Sequence, residues 1–140
     1  YNVSIGQGDF LVTTLQMKRS TATFANGGTL MTPHLLKDVT PEGVKIVPDD
    51  VNNVIKDAMR ETVLHGSSPL LQNLPEAVAG KTGTAQWATG RDEHTWFTGF
   101  GPFDDPTIAV TVIIEEGGGG YYSTPIANDI FTWYFNNRGR

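Results

Sequence analysis

The sequence contains no cysteine, which excludes disulfides, thiolate metal sites and a cysteine nucleophile. It also lacks a long hydrophobic run. Its longest strongly apolar stretch, Ile108 to Ile114, has the length of a strand, whereas a membrane span needs about 20 such residues. Tyr1 to Phe10 lacks the basic start and apolar run of a signal peptide. No basic block extends beyond Lys18-Arg19, and 10 basic against 15 acidic residues give a net charge of −5, so nucleic acid is not an expected partner. His34, His65 and His94 lie far apart without ligand spacing and read as surface or capping residues, so no metal is expected. What remains is a chain of 140 residues, 39% hydrophobic, enough for a core and fitting one domain or a large piece of one.

The chain divides by its turn signals. Tyr1–Asp9, with Gly6-Gln7-Gly8, reads as a loop. Thr13 with Gln16 forms a capping box for a helix whose apolar side carries Leu15, Ala22 and Ala25 with Phe24 nearby, stopped by Asn26-Gly27-Gly28. Thr29 to Val47, broken by prolines, reads as short extended pieces joined by a turn. Asp49 or Asp50 is expected to cap a second helix with a stripe of Val51, Val54, Ile55, Ala58, Met59 and Thr62, ending at Gly66. Ser67 to Pro75 reads as a polar connection.

Three strands are expected next: Ala77–Trp87, Thr95–Phe103 and Thr107–Glu115. Asp104-Asp105-Pro106 joins the last two as an antiparallel hairpin. The third has no polar face, so both of its faces should be covered. A flexible Gly117–Gly120 loop leads to a helix capped by Thr124, with Pro125 first and Ile126, Ala127, Ile130, Phe131 and Tyr134 as its apolar stripe. The expected class is α+β, an antiparallel sheet with flanking helices.

Gly80-Lys81-Thr82-Gly83-Thr84 carries the chemistry. A phosphate loop needs a glycine five residues before Gly80, where Pro75 stands, and a capped helix after it. The alternative is the Lys-Thr-Gly element of serine acyl-transferring enzymes. On a strand at a sheet edge, main-chain N–H and C=O groups pair with an extended peptide. Gly83 leaves room for that peptide, Thr82 and Thr84 share one face and offer hydroxyls to a carboxylate, and Lys81 supplies positive potential. The plainer reading is a strand with a bulge at Gly83 and a solvated Lys81. Glu115-Glu116 reads as a solvated strand end rather than a pair of catalytic acids, and Ser67-Ser68 as loop serines without a base.

The surrounding strings give the motif its context. Ser4-Ile5-Gly6-Gln7-Gly8, Val12 to Met17, Ala25-Asn26-Gly27-Gly28, Gly80 to Gln86, Trp96-Phe97-Thr98-Gly99-Phe100 with Pro102, Ile108 to Gly120, and Pro125-Ile126-Ala127 resemble, in order, segments of class B penicillin-binding proteins. The resemblance covers nearly the whole chain. GKTGTAQ, WFTGF and EEGGGG are more similar to the elongation-associated branch, of penicillin-binding protein 2 type, than to the septal one.

The resemblance implies the penicillin-binding protein/serine β-lactamase-like fold and D,D-transpeptidation of peptidoglycan stem peptides through a serine acyl-enzyme, with β-lactams trapping that enzyme. It implies that Lys81 supports proton transfer and charge at the nucleophile. Thr82 and Thr84 would hold the substrate or β-lactam carboxylate, Gly83 would admit it, and the Thr84 N–H would serve the oxyanion hole. Trp87 would wall the cleft or act as an ordinary aromatic. No cofactor is implied. The expected partners are the rest of the domain, stem peptides, β-lactams and cell-wall elongation proteins. The parent is expected on the cytoplasmic membrane of a bacterium, with this domain outside it.

No lysine here has a serine three residues before it, and no serine has asparagine two residues after it. Residues 1–140 are therefore expected to be the C-terminal portion of the domain, without its Ser-x-x-Lys and Ser-x-Asn segments, inactive alone and with apolar faces left bare. A penicillin-sensing domain and a β-lactamase-like hydrolase are the alternatives.

Overall fold

A computed structural model describes residues 2–8, 10–119 and 122–138. A short 3-10 turn, Asn2–Ile5, stands where the sequence suggested only loop. Helix α1 (Thr14–Ala25) begins with the expected capping box, the Gln16 N–H donating to Thr13 Oγ1 at 3.2 Å and the Thr13 N–H to Gln16 Oε1 at 2.8 Å. It ends at Asn26, and Gly27 and Gly28 follow with φ of +80° and +92°. Its buried face is the expected one only in part: Ala25 is buried and Ala22 and Phe24 are half-buried. Leu15 is exposed, while Thr21, Thr23 and Ala25 are buried. The threonines tolerate burial because Thr21 Oγ1 donates to the Met17 carbonyl and Thr23 Oγ1 to that of Arg19.

Strands β1 (Thr29–Met31) and β2 (Gly43–Lys45) pair antiparallel into a small separate ribbon. Helix α2 (Asp49–Leu64) follows. Pro48 occupies its cap position, and Asp49 and Asp50 lie in the first turn, where their charge complements the helix dipole without a side-chain cap bond. Of the expected stripe, Met59 is buried and Ile55 and Thr62 are half-buried. Asn52, Met59 and Val63 face inward, whereas Val51, Val54 and Ala58 are exposed. Asn52 is the polar member, and its Nδ2 donates to the Phe24 carbonyl at 3.1 Å. The connection after α2 is less polar than expected, because a 3-10 turn at Pro69–Asn73 buries Leu71.

Strands β3 (Ala79–Ala85), β4 (His94–Gly101) and β5 (Ile108–Ile114) form one antiparallel sheet in the order β3-β4-β5. Each is slightly shorter than its sequence signal. Helix α3 (Ser123–Asn137) packs on one face of the sheet, with Phe131 and Ala127 against Phe97, Val110 and Val112. Helix α1 and part of α2 cover the other face, where Ala25 and Met59 join Phe100 and Ala79. Both faces of β5 are thus covered, as expected. Helix α3 begins earlier than expected, at Ser123. Thr124 is therefore inside the helix rather than capping it, and Pro125 lies within the first turn, where a missing N–H still costs no helical bond. The inward stripe becomes Ala127, Phe131 and Phe135, and Ile126 and Ile130 are exposed.

Candidate functional site

Strand β3 is a free edge. Among the described residues it pairs only with β4, from Ala79 opposite Phe100 to Ala85 opposite His94, and Gly83 faces Trp96 in unbroken register rather than at a bulge. The pleat divides the motif. Lys81 and Gly83, opposite Thr98 and Trp96, share the α1 face, while Thr82, opposite Phe97, points with Thr84 to the α3 face. Two hydroxyl contacts mark these faces. Thr98 Oγ1 lies 2.6 Å from Thr21 Oγ1 of α1 and 2.8 Å from Thr111 Oγ1, while Thr82 Oγ1 lies 2.6 Å from Ser67 Oγ in the loop after α2.

The outer edge of β3 is occupied at two points. Arg60 Nη1 donates to the Val78 carbonyl at 2.7 Å. Gln7 Nε2 donates to the Thr84 carbonyl at 3.0 Å, and the Gln86 N–H donates to Gln7 Oε1 at 3.2 Å. These bonds show that the main chain of even-numbered residues faces away from β4. By the two-residue alternation of a strand, the N–H groups of Thr82 and Thr84 face outward as well. Lys81 and Thr84 are exposed, Thr82 and Gly83 are half-buried, and Lys81 Nζ donates to the Thr82 carbonyl at 2.7 Å. The arrangement is an open strand edge with outward amide donors, an ammonium beside them and a threonine hydroxyl at each end of Gly83.

The glycines of the sheet differ in what they leave room for. A Cβ on Gly80 would meet Phe97 Cζ at 2.5 Å, and one on Gly99 would meet the Ala79 carbonyl at 2.6 Å, so packing within this chain excludes side chains there. A Cβ on Gly83 would meet only Trp96 Cβ, at an ordinary 3.5 Å. Nothing among the described residues requires glycine at that position.

The turn after β3 is tied down. Trp87 stacks on His94 with centroids 5.3 Å apart, Arg91 lies over the indole at 5.3 Å, and Trp87 Nε1 donates to the Asp92 carbonyl. Arg91 pairs with Glu116, and the Glu116 N–H donates to His94 Nδ1 at 3.0 Å. His94 is thus the first residue of β4, and Glu116 is an ion-pair partner at φ +50°. His65 bonds Glu61, and His34 bonds the Leu36 carbonyl. Among the described residues no group of three or more histidines and carboxylates is placed to hold a metal, and no helix is long and apolar enough to cross a membrane.

Sequence reasoning read Ser67 as a loop serine without a base, which agrees with the structure, but missed its contact with Thr82, and it missed Gln7. Ser67 carries no local signal, and its partner here is another hydroxyl rather than a base, so it is not an activated nucleophile. Gln7 had a signal, the flanking glycines, but not a destination. In sequence it is 77 residues from Thr84.

The chain is 31% identical to the peptidoglycan D,D-transpeptidase MrdA of Haemophilus influenzae over 98% of its length, and 32% identical to MrdA of Acinetobacter baumannii over 98%. It spans about a quarter of these relatives, 26% and 24%. A penicillin-binding protein 2 structure from Helicobacter pylori superposes with a TM-score of 0.86 at 28% identity, over 96% of this chain and 26% of that one. The imipenem acyl-enzyme of penicillin-binding protein A from Mycobacterium tuberculosis gives 0.83 at 28% identity, over 92% and 32%. Residues 2–132 match the family model described as penicillin binding protein transpeptidase domain. The chain belongs to the penicillin-binding protein transpeptidase family, in agreement with its open Lys-Thr-Gly strand and with its likeness to the penicillin-binding protein 2 branch.

Proposed function

We propose that this chain is the C-terminal portion of a peptidoglycan D,D-transpeptidase domain and supplies the wall of the active site that holds the donor peptide. The serine nucleophile and its lysine belong to a preceding segment of the domain. In the reaction the serine oxygen attacks the carbonyl carbon between two D-alanines of a stem peptide. The amide C–N bond breaks and the terminal D-alanine leaves as an amine, taking a proton. An amine of a second stem peptide then attacks the ester and restores the serine. A β-lactam enters the same first step and stays attached.

The observation that carries this reading is the free edge of β3 around Thr82–Thr84, with outward amides and Lys81 beside them. An extended peptide would add to this edge by main-chain pairing. The Thr84 N–H would donate to the developing oxyanion, Lys81 would stabilise negative charge, and Thr84, the exposed threonine of the motif, would reach the carboxylate. Thr82 would act with its hydroxyl already oriented by Ser67. The parent would be tethered to the cytoplasmic membrane with this domain outside it, working beside cell-wall elongation proteins.

The test is fluorescent penicillin labelling of the full-length protein. Stable labelling is expected, with a Lys81→Ala variant labelled at least about 100-fold more slowly, the size expected for loss of one transition-state donor. Absence of any covalent label would overturn the reading, and rapid release of label would favour a β-lactamase.

A further inference from the structure

Gln7 sits between two glycines held at positive φ, Gly6 at +76° and Gly8 at +85°. That backbone turns the segment so that the half-buried Gln7 side chain lies along β3. Its amide takes the carbonyl of Thr84 with Nε2 and the N–H of Gln86 with Oε1. A carbonyl and an N–H two residues apart are the pair that one residue of a parallel strand would engage. Gln7 is therefore a one-residue strand built from a side chain, seated opposite Ala85.

We infer that Gln7 is a positioning residue for the reaction. This inference rests on the transpeptidase reading above. The Thr84 carbonyl is fixed by Gln7 on one side of its α-carbon, and the Thr84 N–H on the other side is the donor the chemistry needs. Pinning the carbonyl limits rotation of the residue that carries the donor. The Gln7 amide offers a donor and an acceptor side by side on one planar group. A carboxylate would set negative charge against the Thr84 carbonyl, and an aliphatic side chain would release both groups.

The experiment compares full-length wild type with Gln7→Leu and Gln7→Glu in single-turnover acylation by a fluorescent penicillin. The rate constant at saturating penicillin is read separately from the half-saturating concentration and from the labelled amplitude. Both variants are expected to lose about tenfold in the rate constant, a fraction of what misplacement of a reacting group by about 1 Å can cost. The half-saturating concentration should stay within about twofold of wild type. A purely structural role would lower the amplitude, which counts folded molecules, and leave the rate constant of the labelled fraction unchanged. A rate constant within about twofold of wild type in both variants overturns the positioning role while leaving the transpeptidase reading intact. An unlabelled wild type overturns the transpeptidase reading, and Gln7's role in it falls with it.

Discussion

On the α3 side of the sheet, Phe97, Phe131 and Val63 have no exposure at all, while around β2 and the outer face of α2, Val44, Ile46 and Val54 are 67%, 55% and 69% exposed. Leu35 and Leu36, in the connection between β1 and β2, are also bare. The residue types are alike, but only the first set finds its partners within the chain. Burying an aliphatic side chain is worth about 1.5–3 kcal/mol, so several left in water together imply a covering surface elsewhere. This matches the sequence-based expectation of bare apolar faces. It also fits the proposal that the rest of the domain packs there, since the chain spans only 26% of its Haemophilus relative.

Phe97→Ala should break the closed flank and destabilise the protein by about 3–5 kcal/mol in urea titration. An unchanged midpoint would mean that this side is not the core. The double variant Val44→Lys with Val54→Lys sharpens the contrast. In the full-length polypeptide it should cost at least about 2 kcal/mol, because charge would be forced into a covered face. In this chain alone it should stay within about 0.5 kcal/mol. Equal effects in both contexts would show that nothing covers the patch. Gly80→Ala should cost about 1–3 kcal/mol by overpacking against Phe97. Gly83→Ala, on the same strand, should change stability by less than about 0.5 kcal/mol yet slow penicillin acylation. A large stability loss there would assign Gly83 to packing instead.

Local features were readable from sequence wherever the chemistry is local. The Thr13–Gln16 box, the Asn26-Gly27-Gly28 stop and the hairpin of β4 and β5 need only neighbouring residues, and each formed as expected. The inward stripes of α2 and α3 were placed only in part: Met59, Ala127 and Phe131 are buried as expected, whereas Val51, Val54, Ile126 and Ile130 are exposed, because apolar spacing alone does not say which of its members the sheet will cover. Pro48 took the cap that Asp49 or Asp50 was expected to fill, and Ser123 opened the helix before Thr124. Buried polar positions were invisible for another reason. Asn52 and Thr21 are stabilised by the Phe24 carbonyl and the Thr98 hydroxyl, which only folding brings near. At the site, Lys81 to Thr84 and their strand were legible from the motif, as was the sharing of one face by the two threonines. The pairing of Gln7 with β3 and of Ser67 with Thr82 was not, since those partners are 77 and 15 residues apart.

His94 is held from two sides, its ring flat against Trp87 and its Nδ1 accepting from the amide of Glu116. Arg91 repeats the connection with its own grip on the indole and on the Glu116 carboxylate. The bend leaving the Lys-Thr-Gly strand and the bend leaving the last strand are therefore fastened by one shared clasp. Removing the tryptophan would therefore take a stacking partner from His94 and from Arg91 at once, touching both bends through a single side chain.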